Sequence, residues 1–382
     1  MSSALVKRRG RLMALTAAQP PPLSAGDPLE IRDLRAYPLE EPVSGRRYTL
    51  LRLAARNGMI GWGECAGASL RDLAQTRQLM IGQPATAWEP ARRRLVAVAR
   101  QEGAIHMAML DLVGQYTKVP VYQVLGGPTR NKARALAPLE GSSDEALAAS
   151  LARARQAGYR AFLVPVPPPS WLNQGQSYVL GARRRLDALR AAAGPGADFV
   201  LDGHGALTPG DAASLAEAFE RFRLLWFDEP CPVSNLAALR KISAENVTPV
   251  GFGRRIQHAG IFQDLLREEA VDVLRPSLAE TSLLGIRKVA AMAETHYVAV
   301  APFHDGGPVA TAAALHLAAS LPNFFIQQIP LPAAAEDRAM RAEIAGEPIE
   351  RVRDGFATLP ADVGLGVRVN EKALEKYAER AA

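Results

Sequence analysis

The chain has 382 residues, of which 48% are hydrophobic and 22% are charged, and its formal net charge is +6 at pH 7. This length exceeds one ordinary hydrophobic core, so we expect a large barrel joined to a smaller domain, and the composition excludes a disordered chain. The positive charge is scattered without an aromatic-interleaved basic motif, which excludes nucleic acid as the expected partner and favours a small anionic substrate.

Cysteine usage and the amino-terminal segment predict where the protein is located. Cys65 and Cys231 form neither a CxxC motif nor a Cys/His metal spacing, so we expect a reducing, cytoplasmic environment. No run reaches the roughly 18 apolar residues that a membrane span needs, and no membrane partner is expected. Residues 1–27 are predicted to be a flexible leader. Because Arg8 and Arg9 precede a short apolar patch, export by a shortened twin-arginine-like signal is the alternative.

Residues 28–130 are predicted to form an α+β capping domain. Alternating apolar residues over 30–37 and 47–53, followed by GMIGWGE, indicate an antiparallel meander. Helical periodicity follows in three segments, over residues 69–80, 88–100 and 104–116.

Residues 131–330 repeat an apolar strand, a loop and an amphipathic helix. The predicted strands are ARALAPL, RAFLVPV, DFVLD, LLWFD, TPVGF, VDVLR, YVAVAPF and NFFIQQI. Eight such units predict a modified TIM (β/α) barrel, whereas a doubly wound sheet would need fewer strands and a glycine-rich first turn. The remaining residues, 331–382, are predicted to return to the cap.

Polar side chains end three consecutive barrel strands. Asp202, Glu229 and Arg254 lie about 25 residues apart, which is roughly one strand, one helix and two loops. They should therefore emerge together at the carboxyl end of the barrel, where chemistry collects in this fold. Loops near residues 43–47 and 67–71 of the cap are expected to close over a ligand there.

Several motifs, in order, resemble the enolase superfamily. They are WGE, AIHMAMLDLVGQYTKVPVYQVLGGP, LDGHG, WFDEP, IRKVAAMAE and VAPFHDGGP. The set is most similar to the mandelate racemase and muconate lactonizing enzyme branch, and DGHG resembles the acid-sugar (galactonate-type) dehydratases within it.

The resemblance implies proton abstraction next to a carboxylate, with Mg²⁺ stabilising the resulting enediolate. It also implies three carboxylate ligands for the metal. Asp202 and Glu229 match the first two positions, but Arg254 stands in the third, and a guanidinium offers only donors. One interpretation is that the guanidinium of Arg254 sits between Asp202 and Glu229 in place of the metal, with contacts to one or both carboxylates and no cofactor. The other is that Arg254 turns outward and that Mg²⁺, the cofactor that the resemblance implies, binds at Asp202 and Glu229.

The positions of the implied bases are also changed. The Lys-x-Lys pair corresponds to Leu163 and Pro165, and the His of the seventh strand corresponds to Phe303. His304 follows directly, and Asp305 beside it is placed to orient it as a base. The alternative is that both are ordinary turn residues before two glycines.

Two further residues complete the predicted site. The resemblance implies that His204 is the general acid that protonates a departing hydroxyl, and a buried pairing of His204 with Asp202 or Glu229 is the alternative. Gln328 replaces a glutamate at the end of the eighth strand. The predicted substrate-binding residues are Arg254, Asp305 and Gln328.

Two functions follow. The first is a dehydratase-like enzyme, or a related racemase or epimerase, that acts on a sugar acid through the altered site. The second is a catalytically degenerate homologue that binds an anionic metabolite or is structural. By resemblance, either is expected to be a homo-oligomer.

Overall fold

A computed structural model of the protein describes residues 26–67, 69–169, 175–232 and 236–381. The predicted leader therefore lies outside the described residues except for its last two positions. Within the described part, no helix is long and apolar enough to cross a membrane.

The amino-terminal domain is a three-stranded antiparallel meander with helices on one side. The strands β1 (Ile31–Glu40), β2 (Arg47–Ala55) and β3 (Ile60–Cys65) pair in that order. Its helices are α1 (Leu70–Met80), α2 (Trp88–Arg94), α3 (Ala99–Thr117) and α4 (Val121–Val124), with a 3₁₀ turn at Leu95–Val98.

Helix α3 lies directly on β3, and glycine permits this contact. A Cβ atom at Gly63 would stand 1.8 Å from the carbonyl oxygen of Ala104, so only a residue without a side chain fits there. This contact holds the WGE segment rigidly against the helix.

Eight parallel strands follow, in the order that the sequence predicts. They are β4 (Lys132–Pro138), β5 (Ala161–Pro165), β6 (Asp198–Asp202), β7 (Trp226–Asp228), β8 (Val250–Phe252), β9 (Val273–Leu274), β10 (Ala299–Val300) and β11 (Gln327–Gln328). Each pairs with the next from β4 to β10, and β11 pairs with β4. A single bridge, between Val300 and Phe324, links β10 to the segment before β11.

Helices connect these strands. They are α5 (Asp144–Gln156), α6 (Gln176–Ala193), α7 (Pro209–Phe219), α8 (Leu236–Glu245), α9 (Ala259–Arg267), α10 (Leu278–Thr281), α11 (Leu283–Glu294) and α12 (Pro308–Ser320), and a 3₁₀ turn follows α7 at Glu220–Phe222. Every residue of α12 is buried, because it packs between β4, β3 of the cap and α4. Its sequence is apolar on all sides for this reason.

Apolar side chains from the strands and the residues next to them form one buried cluster, namely Leu136, Ala161, Leu163, Val200, Trp226, Val273, Ala301 and Ile326. This cluster fills the interior, so polar chemistry is confined to the strand ends. The predicted fold, a capping domain followed by a modified TIM barrel, is confirmed.

The carboxyl-terminal segment contacts both parts of the molecule. It contains α13 (Ala335–Ala345), β12 (Val352–Arg353), β13 (Phe356–Thr358) and α14 (Glu371–Ala381). Helix α14 packs on β1 of the cap as expected, and Glu371 pairs with Arg52 at 3.3 Å. In addition, the hairpin of β12 and β13 pairs antiparallel with β4, a contact that the sequence did not predict.

Helix α13 also fixes one of the cap loops that face the barrel. The carboxylate of Asp337 accepts the backbone N–H groups of Val43 at 2.9 Å and Ser44 at 3.0 Å. Arg341 donates to Glu41 at 2.6 Å in the same contact. The loop expected to close over a ligand is therefore held in place by the tail.

Candidate functional site

The ends of β6, β7 and β8 bring four charged side chains together. Asp202 is the last residue of β6 and is 1% exposed. Asp228 is the last residue of β7, Glu229 follows it directly, and both are buried. Arg254 follows β8 by two residues and is mostly buried. Strand pairing aligns Asp202 with Asp228 and Asp228 with Gly251, which explains why these ends meet.

Arg254 occupies the centre of this group. Its Nη2 atom donates to Asp202 Oδ1 at 2.5 Å, and its Nε atom lies 3.2 Å from Asp228 Oδ2. The guanidinium carbon is also 5.4 Å from the centre of the Phe303 ring. Burial opposes the charge of Arg254, but Asp228 and Asp202 more than compensate and hold its pKa above the ordinary value.

The prediction that Arg254 sits between Asp202 and Glu229 is wrong about the second partner. Glu229 Oε1 instead accepts the backbone N–H groups of Gly253 and Arg254, both at 2.8 Å. The backbone at Glu229 has a positive φ of 45°, which is uncommon for a residue other than glycine. Burial, followed by the charge of Asp228, raises the pKa of Glu229.

Asp228 connects Arg254 to a second arginine beneath it. Arg275 is fully buried and its Nε atom lies 3.1 Å from Asp228 Oδ1, which also accepts Trp226 Nε1 at 2.8 Å. Burial lowers the pKa of Arg275. Two arginines and two aspartates thus form a buried, hydrogen-bonded ion-pair network across the barrel mouth.

Gln328 supports this network. It is 4% exposed, and its Oε1 atom accepts Arg275 Nη2 at 2.6 Å. The amide NH₂ group and a second lone pair of Oε1 are not used in this contact, so a substrate contact by Gln328 stays a prediction.

His204 stands at the open edge of the group. Its backbone has a positive φ of 54°, its side chain is 51% exposed, and its Nδ1 atom lies 3.4 Å from Asp202 Oδ2. The backbone N–H of His204 donates to Asp202 Oδ1 at 2.9 Å. The imidazole is therefore oriented by Asp202 and reachable from solvent, and its catalytic role stays a prediction.

The pairing expected between His304 and Asp305 is wrong. His304 is 2% exposed and neither ring nitrogen has a hydrogen-bond partner among the described residues. The side chain of Asp305 is exposed, because successive residues of this segment point in opposite directions. Burial, with the charges of Arg341 and Arg46, lowers the pKa of His304 to about 3, so the imidazole is neutral.

Sequence reasoning assigned no role to Glu64, which lies close to His304. Its carboxylate accepts the backbone N–H groups of Gly307 and Ala310 at the start of α12, the second at 3.1 Å. Burial raises the pKa of Glu64 to about 7. The one feature of the sequence that pointed to Glu64 was the WGE motif. A Cβ at Gly306 would lie 2.3 Å from Glu64 Oε1, which explains the paired glycines after Asp305.

The described residues do not fit a Mg²⁺ ion at the strand ends. No group of three or more His, Cys, Asp or Glu side chains in the described part is arranged to hold a metal. One oxygen of Asp202, Oδ1, accepts the guanidinium of Arg254, and a guanidinium is a donor that cannot coordinate a metal.

The chain belongs to the enolase superfamily, because residues 146–373 match the family described as "Enolase C-terminal domain-like". A D-galactonate dehydratase family member of Streptomyces bingchenggensis is 29% identical over 334 residues, which cover 74% of this chain and 80% of the relative. A D-galactonate dehydratase of Verminephrobacter eiseniae is 28% identical, and the matched region covers 85% of this chain and 89% of that relative.

A solved structure gives the same assignment. The mandelate racemase/muconate lactonizing enzyme-like protein from Roseovarius sp. TM1035 superimposes with a TM-score of 0.80 at 28% identity, over 91% of this chain and 95% of the other. The similarity to acid-sugar dehydratases and to this branch, which the motifs predicted, is confirmed.

Proposed function

We propose that this protein binds a small carboxylate metabolite, such as a sugar acid, at the barrel mouth without metal-dependent proton abstraction. The observation that carries the proposal is the position of Arg254. Its guanidinium contacts Asp202 and Asp228 where the family resemblance places a third carboxylate ligand. In this proposal the guanidinium of Arg254 takes the place of a bound Mg²⁺ ion.

Electrostatics favours this exchange over coexistence of the two cations. A divalent ion about 4 Å from a guanidinium would be repelled by roughly 8 kcal/mol at an effective dielectric constant of about 20. Asp202 and Asp228 already compensate the charge of Arg254, and Asp228 also compensates Arg275. The charges of Asp202 and Asp228 are therefore already paired with arginines and attract a metal only weakly.

The positions at which the family places its bases carry other residues in this chain. Leu163 and Pro165 end β5, and Phe303 bridges Ser277 at the position of the family histidine. None of these four accepts a proton from carbon near neutral pH. His304 is buried, and a pKa of about 3 makes it a poor base.

The names of the relatives indicate the ligand class. D-galactonate, D-mannonate and D-xylonate dehydratases are among them, and all are named for sugar acids. The chain keeps Asp202 and Glu229 at the barrel mouth but has Arg254 in the third position. This combination supports binding of a sugar acid without the dehydration that those relatives are named for.

The test is calorimetric titration of Mg²⁺ into EDTA-treated protein, beside Arg254→Glu and the control Arg255→Glu. Arg255 is exposed and adjacent, so its substitution adds the same charge without opening the Arg254 position. We expect Mg²⁺ binding only in Arg254→Glu. Binding by the unmodified protein, or Mg²⁺-dependent exchange of the sugar-acid α-proton in D₂O, would contradict the proposal.

A second candidate is dehydration with His204 as the general acid. It is favoured by one observation, the half-exposed imidazole oriented by Asp202. Formation of a keto-acid product from a sugar-acid panel, lost in His204→Asn, would support it over simple binding. Assembly as a homo-oligomer stays a prediction.

A further inference from the structure

One aromatic ring lies beside both arginines of the ion-pair network. The guanidinium carbon of Arg254 is 5.4 Å from the centre of the Phe303 ring, and that of Arg275 is 5.9 Å from the same centre. Arg275 also lies over Trp226, at 5.2 Å. Asp228 contacts both arginines as well, so the ring and this carboxylate are joined to the same two cations.

The contacts of Arg254 with carboxylates leave the flat face of its guanidinium group uncovered. The N–H groups of a guanidinium lie in its plane and donate at its edge, whereas its faces carry no donor and stack on aromatic rings. Asp202 meets the Nη2 atom and Asp228 meets the Nε atom, so both carboxylates use the edge. An aromatic ring suits the remaining surface, because the negative face of its quadrupole attracts a cation.

Phe303 is carried on backbone that is tied to the segment after β9. Its N–H donates to the carbonyl oxygen of Pro276 at 3.0 Å, and its carbonyl oxygen accepts the N–H of Leu278 at 2.9 Å. Arg275 begins that segment, directly after β9. The backbone that carries the ring is therefore fixed beside both arginines, as a group that positions another side chain requires.

Arg254 and Phe303 are also two positions at which the chain departs from the motifs of its family. The resemblance implies a carboxylate at the first position and a histidine at the second, and the structure brings the two changed residues into contact. An aliphatic residue at position 303 would cover the guanidinium of Arg254 without attracting its charge.

We infer that Phe303 is the positioning residue for Arg254, because its ring attracts the guanidinium and keeps it against Asp202 and Asp228 at the barrel mouth. The inference rests on the proposed function, in which Arg254 is the cation of the site, and it names the residue that determines where this cation stays. Without the ring, the two carboxylates hold the guanidinium only at its edge, and it should leave them more often.

The test replaces Phe303 in the full-length protein with phenylalanines that carry one, two or three fluorine atoms on the ring. Fluorine withdraws negative charge from the ring face and weakens its attraction for a cation, while the size of the ring changes little. The Nε–H of Arg254 is identified as the ¹⁵N signal that is missing from Arg254→Lys. We expect its hydrogen exchange to become faster with each fluorine, by about fivefold or more with three.

Two natural substitutions and a second ring provide the controls. Phe303→Leu, which removes the ring, should accelerate the exchange at least as much as three fluorine atoms do. Phe303→Tyr keeps the ring and should stay within about twofold of the wild type. The same fluorine series at Phe162, which is buried in the core against the ring of Phe199, should leave the exchange of the Arg254 Nε–H unchanged.

A second measurement needs no modified amino acid. The free energy of unfolding is compared for the wild type, Phe303→Leu, Arg254→Ala and the double variant. Because the ring acts through the guanidinium, Phe303→Leu should lower stability clearly less when Arg254 is absent. An exchange rate that does not follow the number of fluorine atoms, or equal losses in the two backgrounds, would mean that Phe303 only packs at the mouth, and would overturn the inference.

Failure of this inference is distinguishable from failure of the proposed function, because neither measurement uses Mg²⁺. If the unmodified protein binds Mg²⁺ while the fluorine series still changes the exchange at Arg254, the proposed function fails and Phe303 remains the positioning residue. If the unmodified protein binds no Mg²⁺ and the series has no effect, only the inference about Phe303 fails.

Discussion

Arg254 and Asp202 form a buried hydrogen bond of 2.5 Å at the carboxyl end of the barrel. Asp202 ends β6 and Arg254 follows β8, so the contact passes over the end of β7, where the guanidinium also meets Asp228. This one relationship gives the mouth an internal cation.

Removal of that cation should destabilise the fold. Arg254→Ala leaves Asp202 and Asp228 buried with less compensation, so we expect a loss of about 3 to 5 kcal/mol in the free energy of unfolding. Urea denaturation followed by circular dichroism measures it. Arg255→Ala, at the exposed neighbouring position, should change it by less than about 0.5 kcal/mol. If Arg254→Ala changed the free energy of unfolding as little as Arg255→Ala, the ion-pair network would not contribute to stability.

Glu64 should make stability depend on pH. Its pKa is raised from 4.5 to about 7 in the folded chain, so the folded state holds a proton that the unfolded state releases. The contribution is fully present below pH 4.5 and is lost as pH rises through about 7, and it amounts to about 3 kcal/mol.

The measurement is the difference in the free energy of unfolding between Glu64→Gln and the wild type from pH 4 to 8. The glutamine of the variant cannot titrate. The variant should therefore become more stable relative to the wild type as pH rises. A difference that stays constant over this range would mean that the pKa of Glu64 is the same in the folded and unfolded states.

The contact between β3 and α3 should not tolerate a methyl group. Gly63→Ala places a Cβ atom 1.8 Å from a backbone oxygen, so we expect a loss of more than about 3 kcal/mol of stability or failure to fold. Gly181→Ala is the matched control, because Gly181 lies within α6 and nothing is within 4 Å of its added Cβ. We expect the free energy of unfolding of Gly181→Ala to rise by about 0.5 to 1 kcal/mol, as measured by thermal denaturation.

Asp337 should govern the mobility of the cap loop. Asp337→Ala removes the acceptor for the backbone N–H groups of Val43 and Ser44, so hydrogen exchange of these two amides should become at least about tenfold faster. Hydrogen exchange read by NMR measures it. Glu336→Ala, at an exposed position in the same helical turn, should leave both rates unchanged. Unchanged exchange in Asp337→Ala would mean that other contacts hold the loop.

Local pattern was enough to predict the barrel and its cap. Apolar runs such as DFVLD and LLWFD stop at polar residues at regular intervals, and parallel strands place those stops at one end of a barrel. The same reasoning predicted that Asp202, Glu229 and Arg254 would lie together, and they do.

The tertiary structure alone decided which groups pair at the mouth. Asp228 and Glu229 are adjacent in the chain, yet Asp228 contacts the guanidinium of Arg254 while Glu229 accepts the backbone N–H groups of Gly253 and Arg254. The environment of His304 depends in the same way on burial and on charges from Arg46 and Arg341, which are far from it in the sequence. Periodicity reports the face on which a residue lies, but hydrogen-bond partners and desolvation depend on distances that only the packed chain defines.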